Sequence, residues 1–314
     1  LFVAASSLNL RGAASNPTPT LRPPSVPLVA CDPYFSIWSP ADKLTDADTT
    51  HWTGKPHRLW SSVRIDGANY RVMGGGAAGE AVLPQKSVTV LPTRTIYTFE
   101  GAGVALTLTF LTPALPEDID ILSRPVTYVT YDFRATDGKK HEVSIQLDAS
   151  GEIAVNEPDQ QVVAAVADVG NSLRAVRVGS VAQPILAKRG DDLRIDWGYL
   201  YLAAPRSQEV TVRSSGEAQS PGGRARIGLD FAPMQVTAKT SSRWLMLAYD
   251  DLYSIQFMKK NLRPYWRRNG WEAADLLKAS AKEYAALVKR CEKFDNQLMA
   301  DLTKAGGEKY AQIS

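Results

Sequence analysis

Cysteine, histidine and the short motifs of common enzyme sites are scarce in this sequence. The 314 residues include two cysteines, Cys31 and Cys291, and three histidines. Two cysteines so far apart cannot build a disulfide framework. They form either one long-range bridge or two buried thiols, and buried thiols are favoured. A Walker lysine motif, an H-E-x-x-H helix, a C-x-x-C pair and a G-x-S-x-G elbow are missing. Their absence argues against the usual nucleotide, zinc and serine-hydrolase sites, and no cofactor is expected.

A long apolar run and an excess of one charge are also missing. The formal net charge is +3, with Lys and Arg scattered among Asp and Glu, so nucleic acid is not an expected partner. No stretch approaches the ~18 apolar residues that span a bilayer, so no membrane span is expected. The opening Leu-Phe-Val-Ala-Ala-Ser-Ser-Leu is either a signal-peptide remnant or a frayed end. The first interpretation indicates a secreted, periplasmic or cell-surface protein.

Alternating apolar residues predict many antiparallel strands between about residue 27 and residue 247. Val104, Leu106, Leu108 and Phe110 alternate with small or polar residues, which is the period of a half-buried strand. Asp-Gly pairs at 66–67 and 137–138 predict two hairpins, because such turns need residues that accept a positive φ. Further strands are predicted at residues 94–100, 162–167, 174–179, 193–202, 209–214, 224–231 and 235–239. The predicted fold class is mainly β, with a large antiparallel β-sandwich-type domain.

Beyond about Trp244 the apolar spacing becomes three or four residues, which predicts a helix from near Trp271. Gly306-Gly307 ends this helix, and a helical pattern restarts after it. The apolar stripe consists of Leu277, Ala281, Tyr284, Val288, Cys291, Phe294, Leu298 and Leu302. The predicted organisation is a signal-peptide remnant or linker (1–22), a β-sandwich-type domain (23–245) and a helical junction (246–314). A long amphipathic helix with few helical partners predicts that a helical domain follows, so the chain is interpreted as a fragment.

The segment 31–60 is the first candidate site, because aspartate, histidine and aromatic residues crowd a stretch with little periodicity. In the functional interpretation, acidic residues and a histidine bind a polar substrate between aromatic walls. The substrate-binding candidates are Asp32, Tyr34, Trp38, Asp46, His51 and Trp52, with Asp48 beside them. In the structural alternative the aspartates cap turns, the aromatics fill the core and the histidine bonds locally. No metal site is predicted, because the acidic run lacks the glycine and distal glutamate of an EF-hand loop.

The segment 249–271 is the second candidate site. Aromatic residues alternate there with polar and charged side chains, namely Asp250, Asp251, Gln256, Arg263, Arg267 and Arg268. Such a composition fits a site or an interface, but it also fits buried salt bridges and packing between a β body and helices. The second interpretation is favoured.

Long strings in these two segments resemble the secreted glutaminase A-like family. RPPSVPLVACDPYFSIWSPADKLTD, THWTGKPHRLWSSVRIDG and YRVMG resemble its opening, while SIQFMKKNLRPYWRRNG and FDNQLMADLTKAGGEKYAQIS resemble its junction into the catalytic helical region. The resemblance runs from about Leu21 to the end. It implies a β-sandwich-type domain followed by an (α/α)6-type helical barrel, acting outside the cytoplasm on L-glutamine to release glutamate and ammonia.

The same resemblance implies roles that do not follow from spacing. A loop of the β domain would roof the barrel, with Asp32 or Asp46 on the amino group of glutamine and His51 donating a hydrogen bond. The family's nucleophile and general base are not placed on this chain, which by itself is expected to be inactive.

Two other classes stay open. One is a glycoside hydrolase of similar architecture, since seven Trp and twelve Tyr could stack on sugars. The other is a non-catalytic binding or scaffold module that exposes the apolar stripe of 277–302 to a partner.

Overall fold

Strands dominate residues 22–215 and 219–314, which the computed structural model describes, and a long helix follows them. The strands are β1 (Val26–Ala30), β2 (Ser36–Ser39), β3 (Leu59–Ile65), β4 (Ala68–Met73), β5 (Gln85–Val90), β6 (Arg94–Gly101), β7 (Val104–Leu111), β8 (Val126–Ala135), β9 (His141–Ser150), β10 (Gln161–Ala167), β11 (Leu173–Ser180), β12 (Tyr199–Pro205), β13 (Val210–Ser214), β14 (Ser220–Pro221), β15 (Arg226–Val236), β16 (Ser241–Asp250), β17 (Ile255–Phe257) and β18 (Lys260–Leu262). The helices are α1 (Ile119–Leu122), α2 (Ala273–Gly306) and α3 (Glu308–Ile313). The signal-peptide interpretation concerns residues outside the described part.

Two large antiparallel sheets form the body. The nine-stranded sheet has the order β14-β10-β11-β12-β16-β8-β7-β6-β5, and the five-stranded sheet has the order β13-β15-β9-β3-β4. One of the two predicted Asp-Gly hairpins is present, since β3 pairs with β4 across residues 66–67. The strands β8 and β9 flank residues 137–138 but lie in different sheets. The second turn therefore joins the two layers instead of closing a hairpin, and this corrects the prediction of paired strands there.

The nine-stranded sheet is covered on both faces. In β8, Val129, Tyr131 and Phe133 belong to the core shared with the five-stranded sheet, whereas Val126 and Tyr128 belong to a second core against α2. Successive side chains on a strand point to opposite faces, so residues 126–131 are all buried because each face has a cover. The result is a β-sandwich with a helix as a third layer, which confirms the predicted mainly β sandwich class.

The helix α2 is bound to the sheet by polar contacts as well as by its apolar stripe. Leu277 and Cys291 are buried against the sheet, which confirms the predicted stripe and shows that much of it is covered rather than exposed. Tyr128 donates a hydrogen bond to the Ser280 carbonyl oxygen (2.8 Å), and the rings of Trp244 and Tyr284 stack with centroids 4.0 Å apart. Within the described residues, no helix is long and apolar enough to cross a membrane.

Two predicted strand boundaries are wrong. The run predicted at 193–202 becomes a strand only from Tyr199, and the runs at 224–231 and 235–239 are one strand, β15. The pairing of β15 with β9 shifts register between Phe231 and Met234. An extra residue in a strand interrupts the period-2 alternation of apolar residues. The sequence pattern therefore predicted two strands where the structure has one bulged strand.

Candidate functional site

A cavity of about 330 Å³ lies between the β-sandwich and the segment that leads from the end of β16 to α2. Its lining comes from five parts of the chain: the loop after β1 (residues 31–35), the end of α1 with the link before β8 (122–125), Ile195, the end of β16 with its following turn (249–254), and the turn at 264–266. We call this space the junction cavity. It joins part of each segment that the sequence marked as a candidate, although more than two hundred residues separate Asp32 from Asp251 along the chain.

The loop that carries Asp32 is a turn held by its own side chain. Asp32 Oδ1 accepts hydrogen bonds from the backbone N–H groups of Tyr34 (2.8 Å) and Phe35 (2.9 Å). This is the turn-capping role of the structural alternative. Asp32 and Tyr34 nevertheless line the cavity. Asp32 is exposed as a whole residue, but its carboxyl group is partly shielded from water. This desolvation raises the pKa of Asp32, and the two backbone N–H donors act in the opposite direction.

His51 and Trp52 do not line the junction cavity, but both contact the backbone of the 31–35 loop that does. The carbonyl oxygen of Pro33 lies 2.8 Å from His51 Nε2 and accepts a 2.8 Å hydrogen bond from Trp52 Nε1. Burial lowers the pKa of His51, so the ring is neutral at pH 7. We assign the proton to Nε2, which leaves Nδ1 to accept from Thr53 Oγ1 at 3.0 Å. Both residues therefore position the 31–35 loop.

Asp251 is the best-placed carboxyl for chemistry or binding. Its Oδ2 accepts a 2.5 Å hydrogen bond from Ser254, while Oδ1 is buried and has no partner among the described residues. Burial raises the pKa of Asp251 to about 6, and the charges of Asp250 and Asp32 contribute in the same direction. The carboxyl therefore titrates close to neutral pH, the range that suits a general base or a proton-sensitive binding group.

A buried ion pair fixes the residues beside it. Arg267 and Asp250 form two hydrogen bonds, one from Nε to Oδ1 at 3.2 Å and one from a terminal nitrogen to Oδ2, and both side chains are almost fully buried. The pair ties the end of β16 to the turn at 265–267. Because Asp251 and Trp266 are the chain neighbours of the paired residues, the pair holds both at the cavity wall. This confirms the favoured prediction of a buried salt bridge at this junction.

Two residues that line the same cavity carry donor atoms without partners among the described residues. A terminal nitrogen of Arg124 donates a 2.8 Å hydrogen bond to the carboxylate of Glu283 in α2. The Nε of Arg124 is buried and has no hydrogen-bond partner among the described residues. Trp266 lines the cavity while only 2% exposed, and its Nε1 also lacks a partner there. Sequence reasoning missed Arg124, because a single arginine between a short helix and a strand carries no motif.

The remaining candidates lie elsewhere. Trp38 lines a separate apolar cavity of about 520 Å³ beside α3 and the end of α2. Asp46 is exposed in the loop after β2. Asp48 is bound structurally: it pairs with Arg58 at 2.9 Å and accepts from the Gly75 backbone at 2.9 Å. The structure thus gathers Asp32 and Tyr34 at the junction cavity, sets His51 and Trp52 behind them, and leaves Trp38 and Asp46 out.

The described residues give little support for a reactive thiol, a metal site or a dinucleotide-binding loop. Cys31 and Cys291 are free thiols, and burial raises the pKa of each, to about 11 for Cys291. No group of three or more His, Cys, Asp or Glu side chains within 22–215 and 219–314 could hold a metal ion. The glycine run at 74–79 has G-x-G-x-x-G spacing, but it follows the antiparallel strand β4 and leads to β5 without a helix. The helix N-terminus that binds a pyrophosphate is therefore missing there.

The fold and the cavity define a β-sandwich domain with a ligand-sized space beside the segment that links β16 to α2. A family described as a domain of unknown function (DUF5127) matches residues 93–226 and 223–301, which is more than half of the chain. The chain belongs to this family. A second family, also described as a domain of unknown function (DUF4964), matches residues 5–79.

One curated relative is similar along almost the whole chain. Glutaminase A of Aspergillus oryzae (strain ATCC 42149 / RIB 40) is 24% identical over 347 residues, an alignment that covers 99% of this chain and 49% of that protein. The chain therefore spans about half the length of this relative.

Solved structures share the fold only distantly. A human-microbiome protein provisionally named kojibiose phosphorylase has a TM-score of 0.45 at 12% identity, covering 82% of this chain and 30% of that one. A GH36 α-galactosidase AgaA variant from Geobacillus stearothermophilus has a TM-score of 0.31 at 9% identity, covering 63% of this chain and 32% of that one. Similarities at this level carry no argument about function.

Proposed function

We propose that this chain is the N-terminal part of a secreted glutaminase, whose β-sandwich supports and roofs a helical domain that hydrolyses L-glutamine to glutamate and ammonia. The observation that carries the proposal is the similarity to glutaminase A along 99% of the chain. The junction cavity supports a contribution of the β body to substrate binding, since it brings carboxyl and guanidinium groups into one small space.

In this proposal the residues of the first candidate segment divide into two roles. Asp32 and Tyr34 line the binding space, with Asp251 joining them from the second segment. His51 and Trp52 act as positioning residues through the Pro33 carbonyl oxygen. Hydrolysis of an amide also needs a nucleophile and donors for the tetrahedral oxyanion, which the proposal places in the helical domain.

The test is ammonia release from L-glutamine by the 314-residue chain and by the complete gene product that contains it. We expect release only from the complete protein. In that protein, His51→Ala removes the hold on the 31–35 loop and should raise KM more than it lowers kcat, because the loop lines a binding space. Asp159→Asn, an exposed residue away from the cavity, is the matched control and should change neither constant. A complete protein that leaves glutamine untouched would refute the proposal.

A glycoside hydrolase is the second candidate function. It is favoured by one observation: the aromatic residues Tyr34, Tyr265 and Trp266 line the same cavity as the carboxyls of Asp32 and Asp251, and sugar sites combine aromatic platforms with paired carboxyls. The product discriminates between the two, since glycan cleavage yields reducing ends and no ammonia. The scaffold alternative loses its main support, because α2 already buries much of its stripe against the sheet.

A further inference from the structure

A short β-hairpin beside the junction cavity presents apolar side chains to solvent. In the described part of the chain, its strands β17 and β18 pair only with each other and belong to neither large sheet. Ile255 lies opposite Leu262, and Phe257 follows two residues after Ile255, so these three side chains share one face. They are 56%, 41% and 58% exposed in that order. The other face is polar, with a 3.0 Å hydrogen bond from Gln256 to Asn261. The hairpin is therefore amphipathic, and its apolar face is uncovered.

The turn of this hairpin consists of residues that suit it poorly. Met258 and Lys259 have φ of +47° and +62°. Positive φ at both central residues is typical of a tight two-residue hairpin turn, where Asn-Gly is the usual sequence and other side chains are strained. Met258 is also 80% exposed. Because an isolated two-stranded hairpin is only marginally stable in water, its strained turn and uncovered apolar face indicate that a further surface stabilises it.

The exposed apolar surface continues from the hairpin along the junction cavity. Ser254 and Pro264, which flank the two strands, both line the cavity. Leu122 and Tyr265 line it too, and they are 45% and 44% exposed. Ile119, in the same short helix as Leu122, is 56% exposed. The cavity is therefore bordered by apolar side chains that nothing in the described chain covers.

Exposed apolar side chains are concentrated at this place. More than half of the large apolar side chains that are exposed in the described part belong to it. We call this set the rim patch, and it consists of Ile119, Leu122, Ile255, Phe257, Met258, Leu262 and Tyr265. A contiguous apolar surface of this kind marks an interaction site. A ligand pocket usually buries about 70–90% of its ligand, so a cavity with such a border needs a cover that excludes water.

The charges around the rim patch describe the covering surface. Residues 252–271 contain five basic residues and no acidic residue. The three arginines of this segment are paired with carboxylates outside it, whereas Lys259 and Lys260 have no carboxylate partner among the described residues. A complementary surface is therefore apolar at its centre and carries carboxylates where it meets the tip of the hairpin.

We infer that the rim patch is the surface through which the β body docks on the helical domain of the complete protein, and that the docked domain closes the junction cavity. The inference rests on the proposed function, in which that domain accompanies the β-sandwich. The curated relative, of which this chain covers 49%, has about as much chain again, enough for a covering domain. A bilayer is less favoured, because one small hairpin with two free lysines gives only weak membrane attachment.

Limited trypsin digestion tests the docking, because Lys259 and Lys260 place two cleavage sites at the tip of the hairpin. Mass spectrometry follows cleavage after these lysines in the 314-residue chain and in the complete gene product. We expect cleavage to be at least about ten-fold slower in the complete protein, since a docked hairpin opens rarely. Phe257→Ser removes an anchor of the rim patch and should abolish most of this protection.

The quantity compared is the ratio of the two cleavage rates for the same variant, so a change in the hairpin itself cancels. Val166→Ser is the matched control, because Val166 is a 64% exposed apolar residue of β10, outside the rim patch. The control should keep the protection of the complete protein. Thermal unfolding of each variant checks that the fold is intact.

Equal cleavage of the 314-residue chain and the complete protein overturns the inference, and so does protection that Phe257→Ser leaves unchanged. If vesicles of phosphatidylcholine and phosphatidylglycerol protect the hairpin and the rest of the protein does not, the rim patch is a membrane contact and the inference is wrong. Protection of the 314-residue chain that grows with its concentration assigns the patch to a second copy, with the same consequence.

These outcomes do not depend on catalysis. A complete protein with a protected hairpin supports the inference even if it releases no ammonia and the proposed function falls. A complete protein that releases ammonia while its hairpin is cleaved as fast as in the 314-residue chain keeps the proposed function and overturns the inference.

Discussion

Replacing Asp295 by alanine should detach α2 from the sheet and lower stability strongly. Asp295 is fully buried, and it accepts hydrogen bonds from the Thr93 backbone N–H (2.9 Å), the Thr93 hydroxyl (2.8 Å) and Arg94 Nε (2.7 Å). The variant leaves the Arg94 guanidinium, whose side chain is only 12% exposed, without its carboxylate. Removing one partner of a buried ion pair costs about 3–5 kcal/mol, so we expect a loss of free energy of unfolding in that range.

Urea unfolding followed by tryptophan fluorescence measures this loss. Trp244 stacks on Tyr284 of α2 at 4.0 Å, so its emission also reports local detachment of the helix. Asp301→Ala on the same helix is the control, because Asp301 is exposed and its side chain accepts hydrogen bonds from Gln297 on the helix surface. We expect the control to change stability by about 0.5 kcal/mol or less.

A double variant separates the ion pair from the other bonds. The double variant Asp295→Ala/Arg94→Ala should lose less free energy of unfolding than the sum of the losses of the two single variants, because it leaves no buried charge unpaired. The reasoning is refuted if Asp295→Ala costs less than about 1 kcal/mol, because the buried carboxylate would then not anchor the helix.

Two further predictions concern the turns of the sandwich. His141 contacts Asp66 (2.6 Å) and Asp137 (3.0 Å) through its two ring nitrogens, and these carboxylates raise its pKa while their own pKa values fall. The contribution of His141 to the free energy of unfolding is complete below its pKa in the unfolded chain, about 6.5. This contribution is lost as the pH rises through the raised pKa of the folded state. The contributions of Asp66 and Asp137 are lost as the pH falls through their lowered pKa values. The contacts of His141 with the two aspartates are therefore most stabilising between about pH 4 and pH 6.5. The gap in unfolding free energy between parent and His141→Gln should therefore shrink from pH 6 to pH 9; a pH-independent gap contradicts this. Gly198→Ala should cost at least about 2 kcal/mol and weaken ligand binding at the junction cavity, because φ is +80° and a Cβ would collide with the Asp250 carbonyl oxygen. Gly270→Ala, with φ of +81° and open space, isolates the backbone cost, and equal losses in urea unfolding would show that no collision occurs.

Local patterns in the sequence were sufficient for most elements. Period-2 alternation located strands such as β6 and β11, and a three-or-four-residue stripe located α2, because these periods follow from backbone geometry alone. The turn at 137–138 was located correctly, yet its strands lie in different sheets. Turn residues specify a local reversal, while the partner of each strand depends on packing across the whole sandwich.

The candidate site could be predicted only in part. The loop of Asp32 was marked by its composition, and a buried salt bridge within residues 249–271 was anticipated because buried charges need partners. The structure identifies that pair as Asp250 and Arg267. The convergence of Asp32, Arg124 and Asp251 on one cavity was not predictable, since no spacing rule connects residues in separate loops.

By itself, then, the sequence determined the strand and helix periods, the Asp-Gly turns and the family resemblance, because each depends on neighbouring residues or on long matching strings. Only the tertiary structure decided which aromatics wall the junction cavity, that His51 supports a loop instead of facing a ligand, and that α2 covers one face of the nine-stranded sheet. These outcomes depend on long-range pairing of strands, and burial and charge acquire their values only after distant segments have packed together.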